Sequence, residues 1–527
     1  MRLEQMLSEL SRSAWCGVLA AGLGVLATGA TVQAAEPKLD LVIEGGRVID
    51  PESGLDAVRN VGVSGGKVVA VSADKLSGRR TIDARGLVVA PGFIDLHAHG
   101  QQLPAARMQA FDGVTTALEL EAGLLPIDRY YEQTAREGRP INYGAAASWV
   151  SARMAVMDNA PPEPSLESFE RGASLPNWPS KLASEQQIAA MAGMIDQALK
   201  QGALGIGFII GYSPASGRKE YYEINKVAAA HDVPTFTHVR YMSVDEPQSS
   251  FEAYEEVIAV AASTGTRMHI CHLNSTSLRD IPKVIELIGS AQKRGVPLTV
   301  EAYPYTAAST VIGAAMFRGP HWRERLGGAV PSDFEYQGQT LNEETFAALQ
   351  KSNPGAIIVF KYLRPELNPS DQKMLDGAVL FPGGAIASDA MPWKVGAKLV
   401  EGDVWPLPAK AFAHPRSAGT FTRFLKEYVR ERRLISLPDA IRKMTLIPAQ
   451  ILASVPQMRN KGRLRVGADA DIVVFDPDTV ADRATFQQPA QTSVGMHWVV
   501  VGGTPVIDNG KLQTKALPGQ AIRRPVQ

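Results

Sequence analysis

Between residues 90 and 450, short apolar segments alternate with longer amphipathic ones, a pattern that few folds accommodate. Strand-like runs fall at 88–97, 114–120, 142–149, 204–210, 234–238, 268–272, 298–303 and 385–388. Helical windows at 183–201, 220–231, 250–264 and 281–294 separate several of them. Eight strands with intervening helices predict an α/β fold, a (β/α)8 TIM-like barrel over 91–453. A doubly wound open sheet is the competing arrangement. The irregular stretch 307–379 is expected to be inserted between the last two strands, with an extra strand at 357–360. Two closing helices are expected within 420–453, the second opened by Leu437-Pro438.

The flanks read differently. Residues 36–90 hold short strands around Leu41-Val-Ile, Arg47-Val-Ile, Val61-Gly-Val, Lys67-Val-Val and Thr81-Ile-Asp, punctuated by Gly-Gly and Asp-Pro turns. Residues 455–520 repeat this texture with Asp471-Ile-Val-Val-Phe, His497-Trp-Val-Val-Val and Thr504-Pro-Val-Ile, and turns at Gly502-Gly503 and Asn509-Gly510. Neither piece alone is large enough to bury a good core. One small β-sandwich built from both ends of the chain is therefore expected.

Residues 1–34 form a separate segment. Arg2 and Arg12 precede an apolar run from Ala14 to Ala27, and Val32-Gln33-Ala34 offers a small-x-small cleavage site. This is the pattern of a cleavable signal peptide, predicting a periplasmic or secreted protein. The run is shorter than the about 20 residues that span a bilayer, so no integral membrane association is expected after cleavage. Cys16 would leave with the leader and Cys271 would be the sole remaining thiol, which excludes an internal disulfide. With formal net charge zero and 20 % charged residues, no basic surface argues for a nucleic-acid partner.

The chemistry concentrates where strands end. In Val89-Ala-Pro-Gly-Phe-Ile-Asp-Leu-His-Ala-His-Gly100, His97 and His99 stand two residues apart, a spacing that puts both imidazoles on one side of a strand. Imidazole nitrogen suits zinc and similar divalent ions. His238 ends the fifth strand, His272 the sixth and Asp389 the last, while Glu119 or Glu121 ends the second. In such barrels the C-terminal ends of the strands form the reactive face, so four imidazoles and two carboxylates are expected to meet on one rim.

This pattern resembles the amidohydrolase superfamily, metal-dependent barrel hydrolases flanked by a β-sandwich from both chain ends. Gly113-Val-Thr-Thr, Tyr212-Ser-Pro, Thr237-His-Val-Arg, Glu301-Ala-Tyr-Pro-Tyr-Thr, Ser388-Asp389, His414-Pro-Arg-Ser-Ala-Gly-Thr-Phe and Gly467-Ala-Asp-Ala-Asp-Ile-Val-Val-Phe look like its D-aminoacylase (N-acyl-D-amino-acid deacylase) branch. The resemblance covers roughly residues 38–515. It implies hydrolysis of a linear amide in a small-molecule N-acylated amino acid, with one or two divalent ions, zinc foremost. It also implies that Asp389 takes the proton of the attacking water and passes it to the leaving amine.

Two positions depart from the branch. A cysteine ligand usual near the end of the second strand is missing from Ala117-Leu-Glu-Leu-Glu-Ala-Gly123, where Glu121 is the candidate substitute and Glu119 shares its face in a regular strand. Asn274 stands where the branch usually has a lysine for the substrate carboxylate. Arg240 is the candidate replacement, with Tyr212 and Tyr303 as hydroxyl donors. His269 reads as core or as support to a ligand, Cys271 as pointing away from the site, and His414 as part of a loop near it. The alternatives within hydrolases are a dipeptidase or a cyclic-amide (hydantoinase-like) hydrolase. From other classes come a non-catalytic scaffold of the same fold and a deaminase.

Overall fold

A computed structural model describes residues 38–527; the leader reading of residues 1–34 falls outside them. Eight parallel strands run in chain order around one sheet: Phe93–Asp95, Val114–Leu124, Asn142–Ser148, Ile206–Ile209, Thr235–His238, Met268–Ile270, Leu298–Ala302 and Ala385–Ile386. The first and last meet just beyond their ends, where Ala98 pairs in parallel with Ala390 and His99 N donates to Ala390 O at 2.8 Å. Asp95 reinforces this seam by accepting from Ser388 N at 2.9 Å and from the Ser388 hydroxyl. The sheet is thus closed into a barrel, and the open doubly wound arrangement is excluded.

The helices follow their sequence signals closely. Glu185–Lys200 starts at a capping box between Ser184 and Gln187, and it buries Met191, Ile195, Ala198 and Leu199 on one face. Ser250–Thr264 starts where Ser249 accepts from Glu252 N and stops at Gly265, whose φ of 71° ends the helix. Pro438 opens Leu437–Met444, where its missing N–H costs nothing.

The run 88–97 proves to be two strands. Val88–Pro91 pairs with Ile472–Phe475 in the flanking sheet, while Phe93–Asp95 opens the barrel. Gly92 makes the corner, and a Cβ there would lie 2.2 Å from Thr115 Oγ1, so no larger residue fits. The flanking sheet has nine strands drawn from Leu39–Pro91 and Ile472–Leu512. It forks in the first strand, Leu39–Asp50: residues before the bulge at Ile43/Gly46 pair with Gly78–Asp83, and residues after it with Val88–Pro91. Both arms share a core that includes Leu41, Ile43, Ile82, Val89, Ile472, Val474 and Val500. Asp471 ties this sheet to the barrel. Its carboxylate accepts from Asn142 Nδ2 at 2.9 Å, Lys461 Nζ at 2.6 Å and Gly502 N at 2.8 Å, and its carbonyl from Gly92 N at 2.8 Å.

Between the last two barrel strands lies an antiparallel sheet of four, ordered Ala307–Val311, Ile357–Lys361, Phe334–Tyr336, Gln339–Thr340. Phe334, Phe360, Phe346 and Trp322 stack beneath it, with Phe334–Phe360 centroids 4.7 Å apart. This insertion leans over the mouth of the barrel through Ser309, Thr310, Ile357 and Phe360.

On the barrel's flank, Arg153 and Glu220 form an ion pair with no solvent exposure. Trp149 Nε1 donates to Glu220 Oε1 at 2.9 Å and Arg153 Nε to Trp178 O at 2.7 Å. Arg153→Ala strands the Glu220 carboxylate in the interior and is expected to cost about 3–5 kcal/mol, measured by chemical denaturation.

Candidate metal centre

Six side chains predicted from separate segments converge at the C-terminal mouth of the barrel: His97, His99, Glu121, His238, His272 and Asp389, all buried. The Glu121 carboxylate stands at the middle. One oxygen, Oε1, lies 2.6 Å from His272 Nε2 and 3.1 Å from His238 Nδ1. The other, Oε2, lies 3.2 Å from His97 Nε2 and 3.5 Å from His99 Nε2. Asp389 Oδ1 sits 3.4 Å from both of these last two nitrogens. Two half-sites therefore share one carboxylate: His97, His99 and Asp389 on one side, His238 and His272 on the other.

The backbone is bent to achieve this. His272 has φ of 32° and Asp389 φ of 53°, left-handed conformations that non-glycine residues rarely adopt and that gather at functional positions. Gly211 lets the fourth strand's exit pass close to His238, since a Cβ there would meet His238 Cδ2 at 2.7 Å. In the second strand, pairing with the third slips between Glu119 and Leu124. Regular alternation, which would keep Glu119 and Glu121 together, is broken there. Glu121 faces the four imidazoles, while Glu119 Oε2 accepts from His99 Nδ1 at 2.8 Å and orients that ring from behind.

A second chain of contacts orients His97. Its Nδ1 donates to Glu301 Oε1 at 2.6 Å, Glu301 Oε2 accepts from His269 Nε2 at 3.0 Å, and His269 Nδ1 meets Thr299 Oγ1 at 2.8 Å. With Nδ1 occupied as a donor, Nε2 of His97 is the nitrogen left for a cation. Glu301 was visible in the sequence only as part of a motif; its spacing of two from Tyr303 at the seventh strand's end was the available signal.

The buried carboxylates and imidazoles of this centre shift one another strongly. Burial alone would favour neutral His97, yet Glu121, Asp389 and Glu301 outweigh it and raise its pKa well above the ordinary value. Burial would raise Glu121, but His97 and His272 and the hydrogen bonds of His238 and His272 hold it well below the usual carboxylate range. Burial likewise opposes ionisation of Glu301, and His97 and His269 bring it to about 2. His97, Glu121 and His272 each offer a ligand atom within 4.8 Å of the others, as do His97, His99 and Asp389. Two adjacent sets of imidazole nitrogen and carboxylate oxygen fit divalent metal such as zinc.

Three expectations are corrected. Arg240 does not face the site: its guanidinium is consumed by Glu256 at 2.7 Å through both Nε and Nη2, and by Ser216 and the Pro214 carbonyl through Nη1. Asn274 is fully buried, with its amide donating to Tyr362 Oη at 2.6 Å and to the Tyr303 carbonyl at 3.2 Å; it pins the loop after the seventh strand instead of reaching substrate. Cys271 points inward, packed with Ile94, Leu118, Leu120 and Phe236 beside His97, because the left-handed turn falls one residue later and leaves Cys271 on the inner face with His269. Burial pushes its thiol well up, so it stays protonated.

Tyr212 lines the cavity over the centre and its hydroxyl meets Thr310 Oγ1 at 2.6 Å. Tyr303 is buried with its hydroxyl unpartnered. The side chain that sequence reasoning passed over is Arg416, from the His-Pro-Arg segment. Its Nη2 meets Asp389 Oδ2 at 2.8 Å, its Nε donates to Asp389 O at 2.6 Å, and it stacks over the Tyr303 ring at 4.7 Å. Its Nη1 is buried without a partner.

The family model described as "Amidohydrolase family" matches residues 80–290 and 273–507. N-acyl-D-glutamate deacylase of Alcaligenes xylosoxydans xylosoxydans is 29 % identical over 93 % of this chain and 97 % of its own length. D-aminoacylase of the same organism is 27 % identical over 93 % and 98 %. The crystal structure of N-acyl-D-glutamate deacylase from Bordetella bronchiseptica, complexed with zinc and a phosphonate mimic of the tetrahedral intermediate, superposes with TM-score 0.73 at 25 % identity, covering 92 % of this chain and 100 % of that one. With a family match that runs from residue 80 to residue 507 and a barrel that closes around imidazoles and a shared carboxylate, the chain belongs to the amidohydrolase family.

Proposed function

We propose that the protein deacylates N-acyl-D-amino acids with divalent metal, zinc foremost, held by His97, His99, Glu121, His238 and His272. The observation that carries this reading is Asp389, a carboxylate at the edge of the cation site, within 3.4 Å of His97 and His99 and clamped by Arg416. The deacylases for N-acyl-D-glutamate and N-acyl-D-aspartate, at 29 % and 28 % identity over 93 % of this chain, act by name on N-acyl-D-amino acids, whereas a dihydroorotase matched over 99 % of its length is 24 % identical, which supports an open-chain over a cyclic amide.

Zinc bound there supplies Lewis acidity, making water a nucleophile near neutral pH and polarising the scissile carbonyl. Asp389 accepts the water's proton and gives it to the leaving amine nitrogen. Burial opposes ionisation of Asp389, but Arg416 and His97 keep its pKa below the usual value, so it starts the cycle as a carboxylate. The Arg416 clamp fixes Oδ2 and the backbone carbonyl, leaving Oδ1 to handle the proton. Burial lifts the Tyr303 hydroxyl to about 12, which keeps it a donor at neutral pH. That hydroxyl, Arg416 Nη1 and, on the cavity wall, Ser309 Oγ are buried without a partner and are available to the polar end of a substrate.

Zinc-loaded protein is expected to turn over N-acetyl-D-amino acids in preference to their L-enantiomers, to dipeptides and to hydantoins. Chelation should abolish turnover and zinc restore it. Preferential hydrolysis of hydantoins would replace this reading with the cyclic-amide one.

We also read residues 1–34 as an export leader and the mature enzyme as periplasmic or secreted. Arg2, Arg12, the apolar run that follows and Val32-Gln33-Ala34 support this. Among the described residues no helix is long and apolar enough to cross a membrane. N-terminal sequencing of protein from the periplasmic fraction should read from near Ala35.

A further inference from the structure

We infer that the substrate carries a single carboxylate and a bulky apolar group, and that acidic N-acyl amino acids are rejected; this rests on the deacylase reading and narrows it. The cavity that begins at His99, Glu121, His238, His272 and Asp389 continues between Leu166, Phe169, Ile209, Met242, Met316 and Phe360. No lysine or arginine lines it among the described residues. Its charged wall residue away from the centre is Glu170, already paired with Lys394 Nζ at 2.6 Å, both side chains 14 % exposed.

A dicarboxylate such as N-acetyl-D-glutamate brings two anions into this space. Arg416 stands behind the lining residues Asp389 and Ser309 and has one unused donor, Nη1, since its Nε and Nη2 are spent on Asp389. Arg240, which the sequence offered as a second cation, is spent on Glu256 and Ser216. Lys394 is spent on Glu170. One anion finds a donor, and the second would be buried against methionine, leucine and phenylalanine beside another carboxylate, a severe penalty. An apolar group gains by filling the same walls.

The test compares kcat/KM of the zinc-loaded enzyme for N-acetyl-D-leucine, N-acetyl-D-phenylalanine and N-acetyl-D-glutamate. The apolar pair is expected to lead by at least about 100-fold. Parity, or preference for glutamate, overturns the inference. In Glu170→Gln the ammonium of Lys394 is released, and the leucine-to-glutamate ratio is expected to narrow about 10-fold; an unchanged ratio overturns the charge count. Should neither compound be hydrolysed, the deacylase reading fails by itself, and calorimetric binding of the same two compounds to the zinc-loaded protein decides the inference. Tighter binding of N-acetyl-D-leucine sustains it; equal or tighter binding of N-acetyl-D-glutamate overturns it.

Discussion

Asp389→Asn is expected to keep its zinc and its fold while losing about 10²–10⁴ in kcat, the usual weight of a positioned proton acceptor. The amide is nearly isosteric and still accepts the Arg416 Nη2–H through its oxygen, so the loop after the last strand should hold its left-handed turn. What disappears is proton affinity. Asp389 contributes one oxygen at 3.4 Å to His97 and His99, whereas Glu121 reaches all four rings. Metal analysis by mass spectrometry should therefore give nearly wild-type stoichiometry, with the rate alone collapsing. Near-normal turnover would remove Asp389 from the proton path.

Glu121→Ala should act in the opposite order, on metal first. Deleting the carboxylate removes an oxygen from both half-sites and leaves His97 and His272 facing an apolar gap. Zinc per chain is expected to fall below half after dialysis, and activity with it. Glu119→Ala removes only the partner of His99 Nδ1, an effect of about 10–100-fold on affinity that saturating zinc should rescue. Equal metal loss in the two variants would mean that Glu121 is not the shared ligand.

Much of this centre was readable without coordinates, for a physical reason. Strand periodicity fixes which residues reach the C-terminal ends, so His97, His238, His272 and Asp389 could be placed on one rim from spacing alone. The (β/α)8 order was readable because the strands are short apolar runs and several helices, such as Glu185–Lys200 and Ser250–Thr264, open at a serine cap. Periodicity loses its authority where strands stop. Arg240 lies two residues past the end of Thr235–His238, and there a neighbouring helix, through Glu256, dictates its direction. Cys271 was misassigned because the positive φ of His272 reverses the expected alternation, and no side chain announces such a turn. The bulge that separates Glu119 from Glu121 is a property of pairing with the third strand, so it too is invisible in one strand's own letters. Arg416 and His269 act through residues more than 25 positions away, and only the closed barrel brings those partners together.

The corner at Gly92 has a thermodynamic consequence. Five residues lie between Pro91, the last residue in register with the flanking sheet, and His97. A ligand that binds only the folded state adds RT ln(1 + [L]/Kd) to its stability. With so short a tether, fraying of the Val88–Pro91 pairing and release of the ion should become one cooperative event. Titrating zinc would then raise the melting temperature of terminal strands that never touch it.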